Sequence, residues 1–151
     1  MVIKLKSFIL TALLFAVLSR VSAQVQSNPD DKYQKSQTIS LLAGKWYLQR
    51  DFTNDSANLR IPEIKFDIMQ NRFSGSTGCN QMSGSFMVNE KTLHISDKMI
   101  ITRMFCPGYD EMNFLKNLLR TDGYHFENGL LILTSGNSII SRWSRILTTQ
   151  K

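Results

Sequence analysis

Cys79 and Cys106 are the only cysteines of the 151-residue chain, and His94 and His125 are its only histidines. These four side chains, with one cation, Arg103, are where chemistry could reside. A thiolate nucleophile would need one histidine within hydrogen-bond reach as its base. His94 stands between Leu93 and Ile95, and His125 between Tyr124 and Phe126, the alternation of side chains that face solvent from a sheet. Neither has a carboxylate beside it to orient the ring. The four residues show none of the short spacings of a structural zinc site. Cys-x-x-Cys, the redox pair, is absent as well. With only two thiols, an internal bridge has one connectivity, Cys79 to Cys106. Buried free thiols packed as small hydrophobes remain the rival state.

The compartment favours the bridge. Lys4 and Lys6 precede the apolar run Phe8 to Leu18, and Val21-Ser22-Ala23 supplies small residues for a peptidase, the three-part pattern of an export signal. The run is too short to span a bilayer, which takes about 20 residues. Residues 1–23 are therefore expected to be removed after Ala23. The mature chain is expected to be periplasmic or secreted, where disulfides persist. No cysteine lies near the cut to carry a lipid, so no stable membrane insertion is expected after signal removal.

Loss of the signal lowers the formal charge from +6 to +3, because three cations and no acid go with it. The remaining cations are scattered along the chain. Without a dense basic cluster, a nucleic-acid partner is not expected. Residues 24–40 are polar and cannot bury enough apolar surface to order themselves, so they are expected to be a disordered tether. About a hundred residues, 41–148, then form one domain with one core.

Within that domain the pattern is of short strands. Trp46 and Leu48 alternate with Tyr47; Ile64, Phe66 and Ile68 alternate with Lys65, Asp67 and Met69; Phe86 and Val88, then Leu93 and Ile95, repeat the period. Ile100 to Met104 is expected to be one more strand. Asn128-Gly129 is the preferred two-residue hairpin turn, and Ser135-Gly136-Asn137 marks another. One stretch, Tyr109 to Thr121, breaks the period. It carries Met112, Leu115, Leu118 and Leu119 at helical spacing and acids in its first turn, and predicts an amphipathic helix. Roughly nine strands are too many for a flat open sheet in so small a domain, and closure into an antiparallel barrel is expected.

Gly75, Gly78 and Gly84 fall within ten positions, and glycine inside strands marks a bend or a close backbone approach. The segment is expected to be the corner where the sheet curls, with Asn80 bonding nearby backbone and tolerating a left-handed dihedral. A phosphate cradle would need a Lys-Ser/Thr ending and a helix directly after it, and both are missing. Arg103, expected on a half-buried strand, would then bond backbone or Asn80 across this corner as structural glue, since a buried charge needs partners, with contact to a ligand as the alternative.

Leu42-x-Gly44-x-Trp46-x-Leu48, Gly75-x-x-Gly78-Cys79-Asn80-x-x-x-Gly84-x-Phe86, Thr102-Arg103-Met104-x-Cys106 and a helix with Glu111, Phe114, Leu115 and Leu118 occur in this order. Together they resemble the META domain, the HslJ-like family. The resemblance covers nearly the whole chain beyond the tether. It implies a mainly β, lipocalin-like small barrel with one α-helix packed against it, usually exported or tethered in the bacterial envelope and linked in name to heat induction. It implies no established reaction. Phe105 stands where a small residue is common, which implies a bulkier packing site beside Cys106.

The function expected is therefore that of a non-enzymatic, stress-related binding or structural module of the envelope, without cofactor or metal. Its partner would be a small molecule, a peptide or another envelope protein, and the protein itself a monomer. The alternative is a thiol- or histidine-dependent hydrolase or redox enzyme, which requires a free thiol.

Overall fold

The structure, a computed structural model, describes residues 37–49 and 61–147; the expected signal, residues 1–23, and most of the expected tether lie outside them. A short helix, α1, covers residues 37–42, so residues 37–40, the last four of the expected tether, are helical. Its Leu42 is fully buried, which supplies the apolar anchor that the upstream polar residues lack.

Nine strands follow among the described residues, with one helix between the sixth and the seventh: β1 (Gly44–Leu48), β2 (Glu63–Asp67), β3 (Arg72–Ser76), β4 (Gln81–Val88), β5 (Leu93–Ile95), β6 (Ile100–Ile101), α2 (Glu111–Leu119), β7 (Gly123–Glu127), β8 (Leu130–Ser135) and β9 (Ser138–Ser144). They form one sheet in the order β5-β4-β3-β2-β1-β9-β8-β7, with β6 paired to β4 off this path. Every pairing is antiparallel, as short connections require. At the β7–β8 hairpin Asn128 and Gly129 both take positive φ, 50° and 78°, the backbone that matches the twist of the flanking strands.

The mainly β fold is the one expected, but its barrel is approximate. The end strands β5 and β7 form no ladder with each other. Two backbone bonds bridge them instead, from Leu93 N–H to the Asp122 carbonyl at 3.3 Å and from Tyr124 N–H to the Lys91 carbonyl at 3.1 Å.

Inside the curl lies a single apolar cluster that includes Trp46, Ile64, Phe66, Phe73, Met82, Phe86, Leu93, Tyr124, Leu131 and Trp143. Phe66 and Phe86 meet edge to face at 5.1 Å, and Tyr124 and Phe126 at 5.8 Å, the arrangement that ring quadrupoles favour. Two glycines make this packing feasible. At Gly75, paired with Ile64 across β2 and β3, a Cβ would overlap the Glu63 backbone carbonyl. At Gly84, paired with Phe73, it would come within 2.8 Å of the Phe73 ring, which lies across that bare backbone.

Helix α2 is shorter than the expected span. Asp110 caps it, accepting the Asn113 N–H at 3.0 Å, and the Arg120 N–H closes the last turn on the Lys116 carbonyl. Its inward face is Glu111, Phe114 and Leu118, at i, i+3 and i+7. Phe114 packs against Trp143 with ring centroids 6.3 Å apart, and Leu118 is buried. Met112, counted in the expected apolar stripe, falls off this face and is exposed.

Candidate functional site

The chain concentrates its polar organisation at the β3–β4 turn, Thr77-Gly78-Cys79-Asn80. Gly78 has φ of 99°, and it is this glycine, not Asn80, that takes the left-handed conformation. Thr77 N–H donates to the Asn80 carbonyl at 2.8 Å and closes the turn. Thr77 Oγ1 accepts the N–H groups of Cys79 and Asn80, at 3.2 and 2.9 Å, and gives its own proton to Glu111 Oε1. Thr77 is fully buried, yet its hydroxyl is saturated.

Asn80, 1% exposed, is equally complete. Its Nδ2 donates to Glu111 Oε2 at 2.9 Å and to the Met104 carbonyl at 3.2 Å; its Oδ1 accepts from Thr102 Oγ1 at 2.8 Å and from Met104 N–H at 2.7 Å. An amide offers two donors and two acceptor sites, and all four are used. Thr102 Oγ1 also accepts the Gln81 N–H at 3.0 Å. Tyr109 reaches back from the far side and donates its hydroxyl to the Thr77 carbonyl. Cys79 and Cys106 stand at disulfide distance beside this network, with Cα atoms 6.1 Å apart. The loop of residues 102–110 is thus wrapped around the turn and fastened at both ends.

This arrangement corrects three expectations. The strand expected over Ile100 to Met104 stops at Ile101, because the Thr102 hydroxyl and both backbone groups of Met104 are taken by Asn80 or its neighbour and not by a ladder. Arg103 consequently is not on a half-buried strand; it is exposed and takes no part in the bonding across the corner. Phe105 fills no packing site beside Cys106 and is 90% exposed.

Trp46 organises the other end. Its Nε1 donates to the Leu42 carbonyl at 2.9 Å, and the Arg145 guanidinium lies over its ring with Cζ 3.9 Å from the centroid. Arg145 Nη2 donates to the Leu41 carbonyl at 2.6 Å, which joins α1 to the end of β9. Burial pulls the Arg145 pKa down from its ordinary value. The indole is a core element, with only 3% of its surface exposed.

A cleft of about 540 Å³ opens between α2, β9 and the end of β1. Phe114, Leu48 and Trp143 form its apolar floor, and Gln49, Asn113, Asn117 and Arg142 supply donors and acceptors around it. Asn113 and Asn117 sit one turn apart on α2, and none of these four side chains is used in a hydrogen bond among the described residues. The volume lies within the range of small-molecule sites. Sequence patterns do not bring these residues together, since they come from three elements with no shared motif.

The remaining candidates are dispersed. His94 is exposed on β5 and His125 on β7. Among the described residues, no group of three or more His, Cys, Asp or Glu side chains is placed to hold a metal ion, and no helix is long and apolar enough to cross a membrane. Thr77 and Glu111 are the participants that sequence reasoning did not single out for a role; the helical i, i+3, i+7 alignment of Glu111 with Phe114 and Leu118 was the available signal.

A curled antiparallel sheet, knotted at a Gly-Cys-Asn turn to a Thr-Arg-Met-x-Cys loop and packed against helix α2, defines a small, mainly β domain whose barrel is approximate. Residues 39–145 match the META domain model, and the chain belongs to that family. Two solved structures share the fold. One is the NMR structure of a protein from Burkholderia xenovorans, with 21% identity, a TM-score of 0.56, and coverage of 74% of this chain and 88% of that one. The other is the crystal structure of a DUF4847 family protein from Bacteroides vulgatus, with 12% identity, a TM-score of 0.53, and coverage of 72% and 96%. Among curated proteins, none matches the chain.

Proposed function

We propose that this META domain is a non-enzymatic binding module of the bacterial envelope, exported by residues 1–23 and serving stress tolerance. The α2–β9 cleft is its ligand site. One observation carries this reading: the cleft joins a Phe114–Trp143 floor to four polar side chains, Gln49, Asn113, Asn117 and Arg142, that are committed to nothing else among the described residues. Apolar floors with a few convergent polar groups are how proteins hold small molecules. The rival reading, a thiol or histidine enzyme, needs a free thiolate beside an imidazole. Pairing of Cys79 with Cys106, and the exposed positions of His94 and His125 on separate strands, weigh against it.

The test is survival of heat or envelope stress in a host whose own copy is deleted. Wild type restores survival, while Asn117→Trp, which fills the cleft from an exterior helix position, folds and fails to restore it. Full rescue by Asn117→Trp sinks the cleft reading. A titratable thiol in protein exported by its native host, together with loss of rescue in Cys79→Ser and not in Asn117→Trp, supports the enzyme instead. N-terminal sequencing of the exported protein checks the cut after Ala23.

A further inference from the structure

The segment from Lys98 to Tyr109 holds three exposed apolar side chains, Ile100, Met104 and Phe105, and two exposed cations, Lys98 and Arg103, without a single carboxylate. The apolar three are 74%, 59% and 90% exposed. A phenylalanine left in water forgoes the transfer free energy that folding would otherwise collect. Here it has no route inward. Met104 is held through both its N–H and its carbonyl by the Asn80 side chain, and Cys106 is held to Cys79. Phe105 is the one residue between these anchors, so its outward position is imposed by the best-bonded part of the molecule.

The composition says what would cover it. Apolar tips carrying cations and no acids match an anionic lipid surface, where rings and thioethers enter the headgroup boundary and each nearby Lys or Arg is attracted by the surface potential. Of the acids that flank the segment, Asp110 caps α2 and Glu111 accepts from Thr77 and Asn80, while Asp97, beside Lys98, is exposed at its rim. Neither Lys98 nor Arg103 has an ion pair or side-chain hydrogen bond among the described residues. Preorganisation also matters, since a loop already rigid loses little entropy on docking.

We propose that the Lys98–Tyr109 loop is a peripheral docking site for anionic membrane, with Phe105 and Met104 entering the headgroup boundary and Lys98 and Arg103 contacting lipid phosphate. Binding is reversible, as so small an apolar insertion dictates. This goes beyond the proposed ligand cleft and does not depend on it.

The test uses the chain as it exists after removal of residues 1–23, mixed with vesicles of phosphatidylcholine alone or with phosphatidylglycerol. Phe105→Trp adds an exposed indole to the two buried ones. Its emission is expected to shift to the blue and to be quenched by brominated lipid on the anionic vesicles only. Phe105→Ser should weaken partitioning at least about tenfold with melting unchanged. Arg103→Glu should remove the preference for anionic vesicles. Binding in which the indole at position 105 stays unquenched overturns the proposal. So does self-association, without lipid, that Phe105→Ser abolishes; that result would assign the loop to a second copy of the chain.

Discussion

Asn80 Nδ2 lies 2.9 Å from Glu111 Oε2, and this bond ties the β3–β4 turn to the first turn of α2 across 31 residues of sequence. The carboxylate takes a second bond from Thr77, so one acidic side chain closes a network in which the buried partners have no spare valence. Such networks rigidify when complete and are costly when broken.

Asn80→Ala is therefore expected to cost about 3 kcal/mol or more, because it leaves Met104, Thr102 and Glu111 groups unpaired. Asn80→Asp should be no better near neutral pH, since a carboxylate would face the Glu111 carboxylate and the Met104 carbonyl where Nδ2 donated. Protonation of the introduced carboxylate restores a donor, so this variant should recover stability as pH falls toward the carboxylate range. Denaturant titration at two pH values checks both; a loss under about 1 kcal/mol for Asn80→Ala would show the hub to be dispensable.

The cysteine pair encloses a separation of 27 residues. Replacing both with alanine is expected to cost about 3–4 kcal/mol on the chain-entropy account. Because Met104 remains bonded to Asn80, the loop should keep its path and the loss should show as a lower melting temperature without a change of fold. Equal melting of the oxidised and reduced protein would mean that no bridge forms.

Gly75 and Gly136 give a contrast. Gly75→Ala drives a Cβ into the Glu63 carbonyl and should destabilise by about 3 kcal/mol or more, since the obstacle is backbone and cannot turn aside. Gly136 has φ of 55° but nothing within 4 Å of a Cβ, so Gly136→Ala should cost only about 1 kcal/mol, the backbone term alone. Equal losses at the two positions would refute the steric account of Gly75.

Tyr124 is buried and its hydroxyl finds no partner among the described residues. Burial, with the nearby Glu90 charge adding to it, raises its pKa above the ordinary 10.0. A raised phenol pKa contributes stability that is intact below about pH 10 and is lost as pH climbs from there through the folded-state value, because the unfolded chain ionises first. Tyr124→Phe removes the unmet hydroxyl and should stabilise by about 1 kcal/mol while flattening this alkaline decline. Alkaline titration of melting temperature for the two proteins decides it; destabilisation by Tyr124→Phe would reveal a hydrogen bond to the hydroxyl.

Much of this architecture is legible in the sequence, for reasons that particular residues make plain. Ile64 and Phe66 alternate with charged neighbours because one sheet face is wet, and Asn128-Gly129 announces its turn because few pairs accept two positive φ angles. The helix is visible from its spacing, but Met112 and Phe114 could not be ranked without knowing which side Trp143 occupies. Thr77 and Glu111 are ordinary residues until folding brings them together. Arg103 misleads because its neighbours look like a strand, while the Asn80 amide diverts that backbone from any ladder. The cleft was not readable, for Gln49, Asn117 and Arg142 share no pattern that local chemistry could enforce.

The register of β1 with β9, in which Tyr47 meets Ser144 and Leu48 meets Trp143, has a consequence for biosynthesis. The opening strand acquires its second neighbour only after the closing one has left the ribosome, so the nascent polypeptide cannot finish folding early, and pairings this distant in sequence form slowly. A chain that stays loose until its last strand is made completes the zipping of its sheet, and the pairing of its sulfurs, only once synthesis is over.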